Sequence, residues 1–271
     1  MGQLFSCMPF QTLNSLRRRL RDALPAAFGL CLTLRANPLL GLVFKLMRQR
    51  FHLERMVFEV PLSGQTHSSL ATYWFSDYEA PERELSKRYI KPNDRVCELG
   101  GCLGIVSMVI QRQLAQPHSH LVVEANPALL PLIERNRALN GGQFTLHHAA
   151  VGNGQPLTLD ISSGLLSNST KNTETATQTV TVAGCTLDAL NEAHGGFDVL
   201  VMDIEGAERE VILGESQSWR GARLIIAEWH PSLIGGAVVE QIRTALTSAG
   251  FRLLESHAGD PHTVEAWEKA H

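Results

Sequence analysis

Read as apolar and polar positions, the chain alternates short, nearly unbroken apolar runs with longer stretches of helical period. Val96-Cys97-Glu98-Leu99, His120-Leu-Val-Val-Glu124, residues 144–151, residues 197–202 and Arg223-Leu-Ile-Ile-Ala-Glu228 are strand-length and almost continuous. Strands buried on both faces read this way. Between them, Ile105, Val106, Met108, Val109 and Ile110 recur at helix-compatible spacing, as do Leu129, Leu130, Leu132, Ile133 and Leu139, and a further helix is expected near 238–249. Residues 251–256 and 263–267 read as a closing antiparallel pair. The pattern predicts an α/β domain with a mostly parallel seven-stranded sheet and helices on both faces.

Upstream the pattern changes. Leu13, Leu16, Leu20 and Leu24 share one helical face beside Arg17, Arg18, Arg19 and Arg21, a basic amphipathic helix over residues 10–24. Residues 25–47 are apolar but broken by Arg35, Asn37 and Pro38, so no run reaches membrane-spanning length, and no signal-peptide cleavage pattern is present. Residues 1–55 are thus expected to be a helical extension, with the α/β domain over 56–271. Alternation at 56–60 and 69–74 suggests two short strands around a turn at Ser63-Gly64, followed by a helix ending near Lys91-Pro92.

Charge supports this division. Residues 1–55 hold nine Lys/Arg against Asp22 and Glu54, a balance of +7; the remainder, with 15 basic and 25 acidic residues, carries −10. The helix either lies on an anionic membrane surface or caps the sheet, with peripheral contact at the inner membrane surface following from the first reading. The opening Met-Gly-Gln-Leu-Phe-Ser also fits a myristoylation pattern with Cys7 nearby, although so short a pattern often arises by chance. The five cysteines are scattered without a Cys-x-x-Cys pair, as expected of reduced thiols in a cytoplasmic protein.

The chemistry gathers at strand ends. After Glu98-Leu99 the apolar run breaks at Gly100, Gly101 and Gly104, and a helix begins: the first βα unit of a nucleotide-binding sheet. Twenty residues after Gly104, Glu124 closes the second strand, where an acid can accept hydrogen bonds from both ribose hydroxyls. Ala125, Asn126 and Pro127 follow, with Asn126 as a helix cap. The Glu98-x-Gly100-x-x-x-Gly104 spacing does not fit the pyrophosphate of a dinucleotide. An acid at that strand end suits the cationic amino-acid end of S-adenosylmethionine. Further on, a buried strand delivers Asp203 and Glu205, another ends in Glu228-Trp-His230, and a Ser/Thr/Asn-rich segment covers 162–179.

These residues resemble the FkbM-type S-adenosylmethionine-dependent methyltransferases. The resemblance covers roughly residue 78 to the end. It is carried by Tyr78-Glu-Ala-Pro-Glu82, the Glu98–Gly104 motif, Glu124-Ala-Asn-Pro127, Asn136, Asn140-Gly141, Ala150-Val-Gly152, Thr186-Leu-Asp188 and above all Asp203-Ile-Glu205-Gly-Ala-Glu208. It departs from the family's Asp-x-Gly-Ala-Asn-x-Gly, with Glu98, Gly101 and Cys102 at the acid, Ala and Asn places. The resemblance implies a Rossmann-like class I methyltransferase fold and S-adenosylmethionine as cofactor. It also implies O-methylation of a hydroxyl on a small-molecule, glycan or lipid-linked acceptor, sugars and secondary metabolites included, and no nucleic-acid partner.

The expected cofactor residues are Glu98, Gly100, Gly101, Gly104, Glu124, Ala125, Asn126, Ala150 and Asp203. Asp203, Glu205 and His230 are the candidates for taking the acceptor's proton. No metal is assigned, since Asp203 and Glu205 alone supply too few ligands. Blander readings stand beside these. Glu208 equally suits a helix N-terminus through its dipole, His230 a hydrogen-bonded core position, and one of His147 and His148 is expected to face inward. Two other classes use the same features: an NAD-dependent oxidoreductase on this sheet, and a non-catalytic S-adenosylmethionine-binding protein.

Overall fold

The computed structural model describes residues 42, 50–61, 78–160, 179–259 and 262–270. The expected helix over 10–24, the strand at 69–74 and the polar segment up to residue 178 lie outside them. Strands β1 (Arg50–Leu53) and β2 (Met56–Glu59) form an antiparallel hairpin. Its turn, Glu54-Arg55, has positive φ at both residues (51° and 62°), a geometry that matches strand twist. Residues 56–59 therefore pair with 50–53; the turn expected at Ser63-Gly64 lies outside the described residues. Phe51, Leu53, Met56 and Phe58 are all buried, so this register places one apolar face on the core. The hairpin also straddles the boundary expected at residue 55.

The order continues with α1 (Ala80–Tyr89), β3 (Val96–Leu99), α2 (Ile105–Gln111), β4 (His120–Glu124), α3 (Leu130–Leu139), β5 (Thr145–His148) and β6 (Ala150–Val151). After them come β7 (Leu157–Asp160), β8 (Thr179–Val182), β9 (Gly184–Cys185), α4 (Leu187–Ala193), β10 (Val199–Met202) and α5 (Glu208–Leu213). The chain closes with β11 (Leu224–Trp229), α6 (Pro231–Ile234), α7 (Gly236–Ser248), β12 (Phe251–Ala258) and β13 (Thr263–Lys269). The main sheet runs β12-β13-β11-β10-β3-β4-β5. Its neighbours are parallel from β11 through β5, and β13 is antiparallel to both β11 and β12. This is the expected Rossmann-like, seven-stranded methyltransferase sheet.

Alternate residues of the central strands feed the two faces. Cys97, Leu99, Leu200, Met202, Ile225 and Ala227 pack against Leu187 and Leu190 of α4, Val211 and Ile212 of α5, and Val239, Ile242 and Leu246 of α7. On the other face Val96, Val199, Val201, Leu224 and Ile226 meet Leu85 of α1 and Val106 and Ile110 of α2. Val122 joins Ile105, Met108 and Val109 of α2, Ile133 of α3 and the β1–β2 hairpin. Residues 144–151 split into two strands at Ala149, with β6 leaving the main sheet to pair with β9. His147 and His148 are both exposed, contrary to expectation, because β5 is the sheet's edge.

Asn136 and Asn140 lock the hairpin in place. The buried Asn136 accepts from the Glu59 N–H (2.7 Å) and donates to the carbonyls of Glu59 (3.0 Å) and Leu103 (2.8 Å). Asn140, one helical turn on, does the same for Val57 through its N–H and carbonyl (2.8 Å each). Four residues apart on one helix face, the two amides match backbone groups two residues apart on a strand.

Candidate active site at the carboxyl edge of the sheet

The chain leaves β3 for β4 on one side and takes up β10 on the other, so the crevice of the fold lies beyond the carboxyl ends of these strands. Its walls are formed by Glu79, Glu82, Glu98, Gly100, Gly101 and Asp203 above the apolar ends of β3 and β10. Gly100 has φ 93°, and a Cβ there would fall 1.8 Å from the Asp203 carbonyl oxygen. Only glycine lets the two turns touch. Gly101 abuts Val122, where a Cβ would meet Cγ1 at 2.8 Å, and Gly104 (φ 72°) caps α2. Cys102 and Glu205, neither of them glycine, hold φ 45° and 48° in the turns after β3 and β10. Such strain, of order 1–3 kcal/mol per residue, gathers where loops are held for function.

Glu124 organises the first turn. Its Oε2 accepts the Cys102 N–H (2.9 Å) and its Oε1 the Asn126 N–H (2.7 Å). Burial pushes its pKa up, and these backbone donors pull it only part of the way back. Asn126, fully buried, turns its Oδ1 to the Ala128 N–H (3.0 Å). Ala125 packs against a small cluster that contains Ala150, Leu159 and Val182, linking the β6–β9 pair to the end of β4. Glu98 lines the crevice, but its oxygens accept from Ser107 Oγ and meet His120 Nε2 (2.8 Å each), both inside the protein. Its carboxylate ties β3 to α2 and β4.

Asp203, Glu205 and His230 come together. His230 Nε2 lies 3.5 Å from Asp203 Oδ1 and 3.9 Å from Glu205 Oε2. On its other side, Nδ1 meets Oε1 of the fully buried Glu208 at 2.8 Å. A carboxylate only accepts, so Nδ1 carries the hydrogen and Nε2 faces Asp203 and Glu205. Glu208 opens α5, as its helix-end reading expected, and the same Oε1 also accepts the Gly206 N–H (3.1 Å). Burial, Glu82, Glu205 and Glu208 push Asp203 up, against His230, to about 7. Burial pulls the His230 imidazole down, but Glu208, Asp203 and Glu205 outweigh it and its pKa is raised.

Three contributors were not singled out from the sequence. Glu79 and Glu82 arrive from the start of α1, and Glu79 is held well above the usual carboxylate range by burial, Glu82 and Asp203. Glu82 carried only the family motif as a signal, in Tyr78-Glu-Ala-Pro-Glu82. His262 faces His230 edge-on, ring centroids 4.8 Å apart. No motif marks it; its position follows from the pairing of Thr263 with Trp229 across β13 and β11.

The donor set fits S-adenosylmethionine. Among the described residues the crevice wall is acidic and contains no Lys or Arg, which suits an ammonium and a sulfonium and not a pyrophosphate. Among the described residues Asp203 Oδ1 is buried without a hydrogen bond, and each Glu124 oxygen retains accepting capacity for a ribose hydroxyl.

Fold and crevice together define a Rossmann-like methyltransferase. The methyltransferase FkbM domain model matches residues 106–253, and the chain belongs to that family, with S-adenosylmethionine as its cofactor. No curated protein matches the chain in sequence. Among solved structures, it is similar to the ribosomal protein L11 methylase of Lactobacillus delbrueckii subsp. bulgaricus (16% identity, 72% of this chain and 80% of that one, TM-score 0.45). It is also similar to precorrin-6y C5,15-methyltransferase of Geobacter metallireducens GS-15 (12%, 79% and 93%, TM-score 0.45). A third is the Pyrococcus abyssi tRNA (uracil-54, C5)-methyltransferase in complex with S-adenosyl-L-homocysteine (13%, 81% and 43%, TM-score 0.44).

Proposed function

We propose that this chain transfers a methyl group from S-adenosylmethionine to a hydroxyl of a small-molecule, glycan or lipid-linked acceptor. The observation that carries this reading is the buried His230, fixed by Glu208 at Nδ1 and presenting Nε2 to Asp203 at 3.5 Å beside the glycine turn. When bound, the cofactor supplies an electrophilic methyl group. The chain's own work is to hold the acceptor in line and receive its proton. An alcohol is a weak acid, so a base must meet the proton as the C–O bond forms. Asp203, Glu205 and His230 surround the place where that proton would leave. Glu124 would hold the ribose, and Gly100 and Gly101 would let the backbone approach the cofactor closely.

Asp203→Asn and His230→Gln are expected to lower turnover by roughly 10²-fold, the contribution of a general base, and to change S-adenosylmethionine affinity far less. Methylated product from glycan and metabolite acceptors, followed by mass, measures the first; calorimetry measures the second. Parent turnover in both variants overturns the assignment. The oxidoreductase alternative predicts NAD binding in the same titration, which the acidic wall disfavours.

A further inference from the structure

We propose that Glu228, His230 and His262 form a binding site for one first-row divalent metal ion, such as Zn²⁺ or Mn²⁺. The inference rests on the reading of this crevice as the reaction centre, and it places the ion where it faces the acceptor. The ligand atoms of the three residues all lie within 4.8 Å of one another. Glu228 Oε1 is 3.8 Å from His230 Nε2 and 3.7 Å from His262 Nδ1. Two donors each about 2.1 Å from a tetrahedral ion sit roughly 3.4 Å apart, so the two Glu228 pairs close by a few tenths of an ångström, while the two imidazole nitrogens, within 4.8 Å of each other, must close further. Two imidazoles with a carboxylate suit Zn²⁺, Mn²⁺, Fe²⁺ or Co²⁺ better than Mg²⁺ or Ca²⁺, which prefer oxygen alone.

A second observation points the same way. The His230 side chain is 2% exposed, and among the described residues its Nε2 makes no hydrogen bond. Yet oxygens of Asp203, Glu205 and Glu228 stand 3.5–3.9 Å from that atom. A nitrogen lone pair facing three carboxylates is repelled unless a positive charge sits among them. A proton on Nε2 would serve His230 and its acids, and one on Nδ1 of the partly exposed His262 would serve the second pair; a single ion shared by the two rings takes the place of both protons. Glu208 behind His230 fixes the ring as carboxylates behind metal-bound histidines do. With an ion present, Nε2 is committed to it, and the acceptor's proton falls to Asp203 or Glu205. The ion's use is to bind and polarise the acceptor oxygen.

The test titrates the full-length, tag-free chain, stripped by chelator, with Co²⁺, followed by visible absorption and calorimetry. One saturable Co²⁺ per chain is expected, with affinity lowered by about 10-fold or more in His262→Ala and in the isosteric Glu228→Gln. His262 is 40% exposed at its side chain, so its removal leaves the fold in place; circular dichroism checks both variants. No saturable Co²⁺ binding, or equal binding in both variants, overturns the proposal. S-adenosylmethionine titrated into the same samples separates the two readings. Cofactor binding without Co²⁺ binding sinks the metal site alone, and Co²⁺ binding without cofactor binding upholds the metal site and sinks the proposed function.

Discussion

Replacing Glu124 by Gln tests whether that carboxylate serves the cofactor, the turn or both. Its two oxygens each accept one backbone N–H, from Cys102 and from Asn126. Gln supplies one oxygen and one NH₂, so one of the two amides faces a donor and is left unpaired, at about 1–3 kcal/mol. The domain is therefore expected to melt several degrees lower but to remain folded. A ribose hydroxyl held by the charged carboxylate contributes about 1.5–3 kcal/mol, so S-adenosylmethionine binding weakens by about 10- to 150-fold. Glu124→Ala is the harsher variant, because it strips both amides of their acceptor and mixes loop collapse with cofactor loss. Differential scanning fluorimetry without ligand gives the first effect. Calorimetric titration well below the melting onset gives the second. A Glu124→Gln protein that melts lower yet binds with parent affinity makes Glu124 a builder of the turn only. Parent behaviour in both assays refutes the reasoning altogether.

Asn136→Ala removes three hydrogen bonds and leaves buried backbone groups of Glu59 and Leu103 unpaired; it should cost about 1–3 kcal/mol in denaturant melts, and unchanged stability would mean the hairpin docks by apolar contact alone. Burial raises the Glu255 carboxyl, but hydrogen bonds from Arg88 and Tyr89 outweigh it and hold the pKa below the usual range. That stability is present above the unfolded-state value and lost as pH falls through the folded one. The melting-point gap between parent and Glu255→Gln should therefore narrow on acidification, and a gap that widens contradicts the pairing. Residues 10–24 are expected to carry the full-length chain onto anionic vesicles at low salt and release it at high salt. A chain that stays in solution at low salt, and unfolds when residues 1–55 are deleted, makes that segment a cap. No helix among the described residues is long and apolar enough to cross a membrane.

Much of the fold was legible because the central strands obey one physical rule. Strands buried on both faces must be apolar throughout, and β3, β4, β10 and β11 are buried nearly end to end, so their runs stood out. The edges were read less well. The β1–β2 hairpin was not read because its turn, Glu54-Arg55, carries none of the Gly or Asn that usually marks positive φ. Ordinary residues hold that turn, with Glu54 receiving Arg83 and Lys87 from α1. Long-range pairs of this kind leave no local trace in the sequence. The β7–β8 hairpin was missed for a related reason: its strands flank a polar stretch, and one of them begins inside the segment read as loop.

The site divides in the same way, by whether each residue's neighbours are close in sequence. Glu124, Gly100 and Asp203 sit at ends of apolar strands, where the break in pattern itself marks the carboxyl edge. Glu98 shared that mark, yet its side chain points to Ser107 and His120, because a strand residue faces one side of the sheet or the other and the apolar run does not say which. His262 carried no mark at all. Its approach to His230 depends on the last strand running antiparallel, with Thr263 opposite Trp229. Had β13 run parallel to β11, its amino end would lie at the far edge of the sheet, and His262 with it. The reversal of one strand thus brings a second imidazole to the edge where the parallel strands deliver their acids.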